Sequence, residues 1–151
     1  GVAALSNWDA KTTAFINLVT GTILTVGNFI GLFRADEAVL QHYNSAAAGF
    51  LFGVTYLFIA SNYLFKLDLR AFGWYSVCVA LFSAISAAVC FQAGAVPMGA
   101  LWVAWAILWL EGFLQLGLNI KPLGRVFPVL SILEGIFATG GPGVMMLFGW
   151  W

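Results

Sequence analysis

Few side chains in this 151-residue sequence could do chemistry, and fewer still are spaced to do it together. There is one histidine, His42, and there are two cysteines, Cys78 and Cys90. The cysteines share one apolar segment, and twelve positions on a helix are a rise of about 18 Å, too far for a disulfide. Both therefore read as apolar fillers. One histidine and two distant cysteines assemble no metal set, and a haem with two histidine ligands is excluded for the same reason. No apolar segment carries an interior lysine for a Schiff base. With no nucleophile–base pair in evidence, the chain is expected not to be an enzyme and to need no cofactor.

Two carboxylates remain, each inside an apolar run. Glu134, in FPVLSILEGIFATGG, falls roughly 12 Å from the start of its helix at 1.5 Å per residue. An ionisable group at that depth costs a few kcal/mol or more and is a functional hypothesis by default. Its plainer alternative is a neutral, hydrogen-bonded glutamate that ties helices together. Glu111 lies near the end of WVAWAILWLEGF (102–113), where Trp102, Trp105 and Trp109 fall within about 60° of one another on a helix. Glu111 falls roughly 180° from Trp102, so it leaves the tryptophan face and is expected to bond across a helix or subunit contact. Phe52 and Tyr56, spaced i, i+4, add a second aromatic stripe. Such a stripe is ordinarily core packing, but two stripes and a buried carboxylate together point equally to a lined passage.

The elements that must position these groups are membrane helices. The composition is 62% hydrophobic and only 8% charged, with a mean hydropathy of +0.97, whereas a soluble domain carries about 25% charged residues. The formal net charge is zero, which leaves no electrostatic footprint for nucleic acid. A span needs about 20 apolar residues, and the charges and turn residues place five of them. They run near 12–33, 45–65, 71–93, 98–119 and 126–148, forming one transmembrane channel domain over 1–151. Gly94 and Pro97 divide the long uncharged run after Ala71, and Pro122 and Gly124 do the same before the last span. No internal repeat or low-complexity tail appears.

Lys11, Lys66, Arg70, Lys121 and Arg125 fall on one side of this arrangement and only Arg34 on the other. The positive-inside rule then puts the N-terminal segment in the cytoplasm and the C-terminus outside. GVAALSNWDAKTT brings no signal peptide, and an odd number of spans starting in the cytoplasm suggests that a first helix precedes Gly1. His42 lies in the outer link after the first span, where a solvated loop histidine is the ordinary case and a pH sensor the sharper one.

GFLFGVTYLFIASN, KLDLRAFGWYS, LWVAWAILWLEGF and PLGRVFPVLSILEGI closely resemble segments of the bacterial urea/amide channel family, the UreI/AmiS group. NWDAKTTAFINLVTG resembles that family's second helix and its lead-in, so the likeness runs collinearly along nearly the whole chain. The resemblance implies an all-α integral membrane protein with six helices in the complete protomer, five of them present here. It also implies a homohexamer in the bacterial inner membrane with one pore in each protomer. Matching segments carry the family's pore-lining aromatics onto Phe52, Tyr56, Trp102, Trp105 and Trp109. They carry a narrow point onto Leu108 and the buried pore glutamate onto Glu134.

Two departures bear on function. TGGPGVMM at 139–146 stands where bulkier residues are usual, which alters lumen width near Gly140–Gly143. The outer link is about ten residues long, with Asp36, Glu37 and His42, whereas acid-gated relatives have a long, histidine-rich loop. Strong acid gating is therefore not expected. The resulting expectation is a passive urea channel feeding a cytoplasmic urease, with KLDLRAFGWYS favouring urea. A channel for acetamide or formamide feeding an amidase is the alternative. A proton-coupled carrier and a non-transporting assembly subunit stand further off.

Overall fold

The computed structural model describes residues 1–34 and 40–150, with the side chains of residues 40–42 outside the description. Every regular element among the described residues is helical. A short α1 (Val2–Leu5) precedes α2 (Ala10–Phe33), α3 (Leu40–Phe65) and α4 (Leu69–Gln92). α5 (Val96–Gly112) runs on into a π-helical segment, π1 (Phe113–Gly117). After a 3-10 turn at Lys121–Leu123 come α6 (Val126–Glu134), a second π-helical segment, π2 (Gly135–Gly140), and α7 (Gly141–Leu147). Five of the resulting helical rods are long and apolar enough to cross a membrane. The chain is accordingly an all-α multi-pass membrane protein.

Local chemistry explains where these helices start. The Asp9 carboxylate accepts from the Thr12 amide at 2.9 Å and caps α2, satisfying one of the donors a helix start leaves open. A proline in the first turn of α5 uses a position where a missing N–H costs nothing. The turn between α4 and α5 depends on Gly94, whose φ of +74° is strained for any residue with a Cβ. α3 begins at Leu40, ahead of the expected 45, because Gln41, His42 and Asn44 hide its first turn from a hydropathy reading. Polar side chains inside the rods donate to the carbonyl one turn back, as Asn17 does to Thr13, Asn28 to Leu24 and Ser76 to Phe72. Where water is absent such groups must be satisfied within the protein.

The chain divides into two compact units, Trp8–Asp68 and Gly1–Asn7 with Leu69–Trp151. In the first, α2 and α3 meet through small residues: Gly49 faces Asn28, Gly53 faces Thr25, and Gly21 lies beneath Leu57. In the second, α4 turns a buried stripe of Gly73, Ser76, Ala80, Ser83 and Ala87 inward. Its other side shows Trp74, Leu81, Ile85 and Val89 as exposed apolar residues. Apolar side chains gain little from meeting each other in lipid, so close backbone approach through small residues does the packing. The closest approach is at Gly73, where a Cβ would collide with the main chain of Gly117.

Candidate functional site

The tryptophans of α5 fall into two ring clusters along the helix, and α4 contributes rings to both. Nearer the Gly94 turn, Trp102 and Trp105 meet edge to face with centroids 4.9 Å apart, and Phe82 of α4 meets Trp102 at 5.8 Å. Further along, Trp109 meets Phe72 at 6.2 Å and Tyr75 at 6.4 Å, both edge to face. This geometry aligns the positive ring edge with the negative ring face, and each such pair contributes about 0.5–1.5 kcal/mol beyond area burial. Trp102, Trp105 and Leu108 are half-buried, while Trp109 is only 4% exposed. The helical phase that groups the three tryptophans thus places two in direct contact and packs the third against α4.

Phe72, Tyr75 and Phe82 did not stand out in the sequence as part of this arrangement. The signal was present, since positions 72, 75 and 82 repeat at helical spacing on one face of α4. It was masked by the general aromatic richness of the chain. In the other unit, Phe52 and Tyr56 are half-buried on α3, flanking the buried Gly53 and Thr55. His42 lies on the backbone of the first turn of α3 rather than in a link, and its side chain is outside the described residues, as are Asp36 and Glu37.

The two glutamates occupy different surroundings. Glu134 is the last residue of α6, is half-buried, and has Oε2 sealed from solvent without a hydrogen-bond donor. Ser131, one turn back, is occupied by its bond to the Phe127 carbonyl at 2.8 Å. Glu111 is 7% exposed, and both of its oxygens are sealed without a donor in hydrogen-bond geometry. The expectation of a cross-helix role for it is consistent with the Phe127 main-chain amide of α6 being in electrostatic contact with its carboxyl. No group of three or more His, Cys, Asp or Glu side chains gathers among the described residues, and Cys78 and Cys90 are both free thiols.

A groove of about 480 Å³ runs between α4 and α5, lined by residues that include Ala84, Ala88, Phe91 and Ile107. It carries no group that could greet a polar solute. Its α5 wall, Val103, Ala106, Ile107 and Leu110, is turned roughly 120° from the tryptophans, so groove and aromatic clusters are separate features. The chemistry available on the aromatic side is that of a neutral passage. Flat indole faces, indole N–H and phenol donors, and one carboxylate can meet a small planar polar molecule without forming a covalent bond.

A model of the AmiS/UreI transporter family matches residues 1–150. The chain is similar to the acid-activated urea channel of Helicobacter pylori (strain ATCC 700392 / 26695), 29% identical, with 100% of the chain and 91% of the relative covered. That alignment runs over 179 positions, so the relative has stretches with no counterpart among these 151 residues. It is 33% identical to a putative amidate substrates transporter protein of Mycolicibacterium smegmatis, with 90% of the chain and 61% of that relative covered. The crystal structure of the Helicobacter pylori urea channel superposes with a TM-score of 0.88 at 31% identity, covering all of the chain and 91% of its own. The closed state of that channel gives a TM-score of 0.87.

Proposed function

The chain belongs to the AmiS/UreI transporter family, and from that premise we propose that it forms a passive channel admitting urea to the cytoplasm. The observation that carries this reading is the series of edge-to-face rings on α5, Trp102 with Trp105 and then Trp109, ahead of a buried carboxylate on the next rod. Phe52, Tyr56, Trp102, Trp105, Leu108, Trp109 and Glu134 line the solute path in this proposal. The chain acts as one transmembrane domain, in a homohexamer of the bacterial inner membrane, with its N-terminal segment cytoplasmic and its C-terminus outside. A cytoplasmic urease consumes what enters.

The mechanism follows from solvation. An apolar, aromatic constriction strips water from whatever enters it, and stripping an ion costs far more than stripping a neutral molecule. Urea is flat and fits between indole faces. Its carbonyl oxygen can accept from an indole N–H or from the Tyr56 hydroxyl, and its NH₂ groups can donate to Glu134. These exchanges replace part of the lost hydration, and downhill flow needs no energy source.

Stopped-flow swelling of proteoliposomes in urea tests the proposal. The unmodified protein is expected to raise urea permeability far above that of protein-free vesicles. Glu134→Gln is expected to lower it roughly tenfold, the factor that one charged hydrogen bond of about 1.4 kcal/mol carries. Unchanged selective flux in both Glu134→Gln and Trp105→Ala would remove the lining roles. Uptake that collapses with the proton gradient would point to a coupled carrier instead.

The second reading, a channel for acetamide or formamide feeding an amidase, draws on the similarity to the Mycolicibacterium smegmatis amidate transporter. Urea and acetamide differ by an amino group against a methyl, so competition between them in one preparation separates the readings. We further propose that mild acid gates the channel little. Between α2 and the first turn of α3 the sequence carries Asp36, Glu37 and His42, not a long histidine-rich loop.

A further inference from the structure

The start of α6 leaves two helical donors without a local partner. Its cap position is Arg125, which makes no side-chain capping bond. Pro128 has no N–H, and the Val129 amide already donates to the Arg125 carbonyl. The open donors of this first turn are therefore the amides of Val126 and Phe127. α6 lies in the same compact unit as α5, and Phe127 packs directly on it. A Cβ added to Gly112 would lie 3.1 Å from the Phe127 ring, closer than such contacts normally run. The residue before Gly112 is Glu111, 7% exposed, with both carboxyl oxygens sealed and the Phe127 amide in electrostatic contact with them.

A helix N-terminus without a cap and a buried acceptor without a donor thus face each other across one helix contact. We propose that Glu111 is a positioning residue, capping the N-terminal turn of α6 from α5. An acidic side chain is the right partner there, because the first-turn amides carry the positive end of the helix dipole. Gly112 has no side chain, which leaves room for the Phe127 ring to pack on α5 next to Glu111. The arrangement matters for Glu134, which lies two helical turns beyond Phe127 on the same face. Ser131, between them, is bonded to the Phe127 carbonyl. Holding Phe127 sets the height and rotation at which α6 presents Glu134. The cap stands on α5 and α6 alone, while its effect on solute passage rests on the channel proposed above.

The test uses the full chain in nanodiscs and proteoliposomes, with two readouts. In the unmodified protein the Val126 and Phe127 amides should exchange with solvent as slowly as amides inside α6. Exchange as fast as in the Asn119–Lys121 link would overturn the cap without any variant. Glu111→Leu should speed exchange at these two amides roughly tenfold, the size of effect a lost cap carries, and lower urea permeability by a similar factor. Glu111→Gln keeps a carbonyl acceptor and should hold both readouts within about threefold of the parent. Unchanged exchange in Glu111→Leu, or Glu111→Gln behaving like Glu111→Leu, would overturn the proposal. If the parent passes neither urea nor acetamide while slow exchange and rescue by Gln persist, the channel assignment fails and the cap stands.

Discussion

The two π-helical segments make an informative pair. Each follows a glutamate inside a rod, π1 after Glu111 and π2 after Glu134. A π turn places an extra residue in the helix and is common near functional positions. The surroundings of the two differ. π1 is clamped, since Gly117 lies against Gly73 of α4, and Gly112 just before it is wedged between Phe127 and Ser76. π2 is open, since a Cβ on Gly135 would meet nothing within 4 Å and one on Gly140 would meet only the Gly135 carbonyl of its own turn. The glutamate at the clamped segment is sealed on both oxygens, and the one at the open segment stays half-buried. The same local device thus follows a carboxylate sealed on both oxygens in one place and one sealed only on Oε2 in the other.

The sharpest way to break the contrast is to fill the clamp. Gly73→Leu drives a side chain into the main chain of Gly117 and Leu116, and overpacking of that kind costs about 3 kcal/mol or more. Loss of folded protein on size exclusion in detergent is the expected outcome, and a normally folded Gly73→Leu protein would show that π1 is not clamped. The aromatic side of α5 is read by flux. Trp105→Ala removes an edge-to-face partner of Trp102 and should change urea permeability or its ratio to glycerol permeability by about two- to tenfold. Folding in that variant should hold.

Filling the open segment should do little harm. Gly135 has helical angles, φ −57° and ψ −39°, and free space around it, so Gly135→Ala should stabilise the protein by about 0.5 kcal/mol through the unfolded chain. A thermal-denaturation shift of opposite sign to that of Gly73→Leu would make the contrast quantitative. Equal destabilisation by the two would erase it.

The smallest effect expected is that of mild acid. The Asp9 carboxyl, at the start of α2, is held below its ordinary 3.8 by the Thr12 hydroxyl and then by the Thr12 amide. A depressed carboxyl contributes stability that is present above its unfolded pKa and lost as pH falls through the lower folded value. Asp9 is therefore ionised throughout the range from neutral to about pH 5 and supplies no response there. Urea permeability should change by less than about twofold over that range, with or without His42→Ala. A steep activation that disappears in His42→Ala would show that the start of α3 gates after all.

Much of the architecture was legible because its causes are local. Each rod is an apolar run bounded by charges or by Gly and Pro, and the cost of taking a bare polar backbone into lipid makes every such run a helix. The likeness of LWVAWAILWLEGF and PLGRVFPVLSILEGI to one transporter family was equally a property of the string. Helical phase turned Glu111 away from the tryptophans without any structure. The start of α3 escaped, since the polar residues of its first turn look like a link.

What needed the tertiary structure was everything set by contact between rods. No spacing within the sequence joins Glu111 to Phe127, because they lie on different rods and the Phe127 ring packs where Gly112 has no side chain. Nor does any spacing say that Trp109 packs on Phe72 and Tyr75 while Trp105 packs on Trp102. The π segments have no sequence signal that sets them apart, yet one is held by a neighbouring helix and the other is not. Hydrophobic patterning acts along one chain segment and is written in its order, whereas burial of a carboxylate depends on which small residues let two backbones approach.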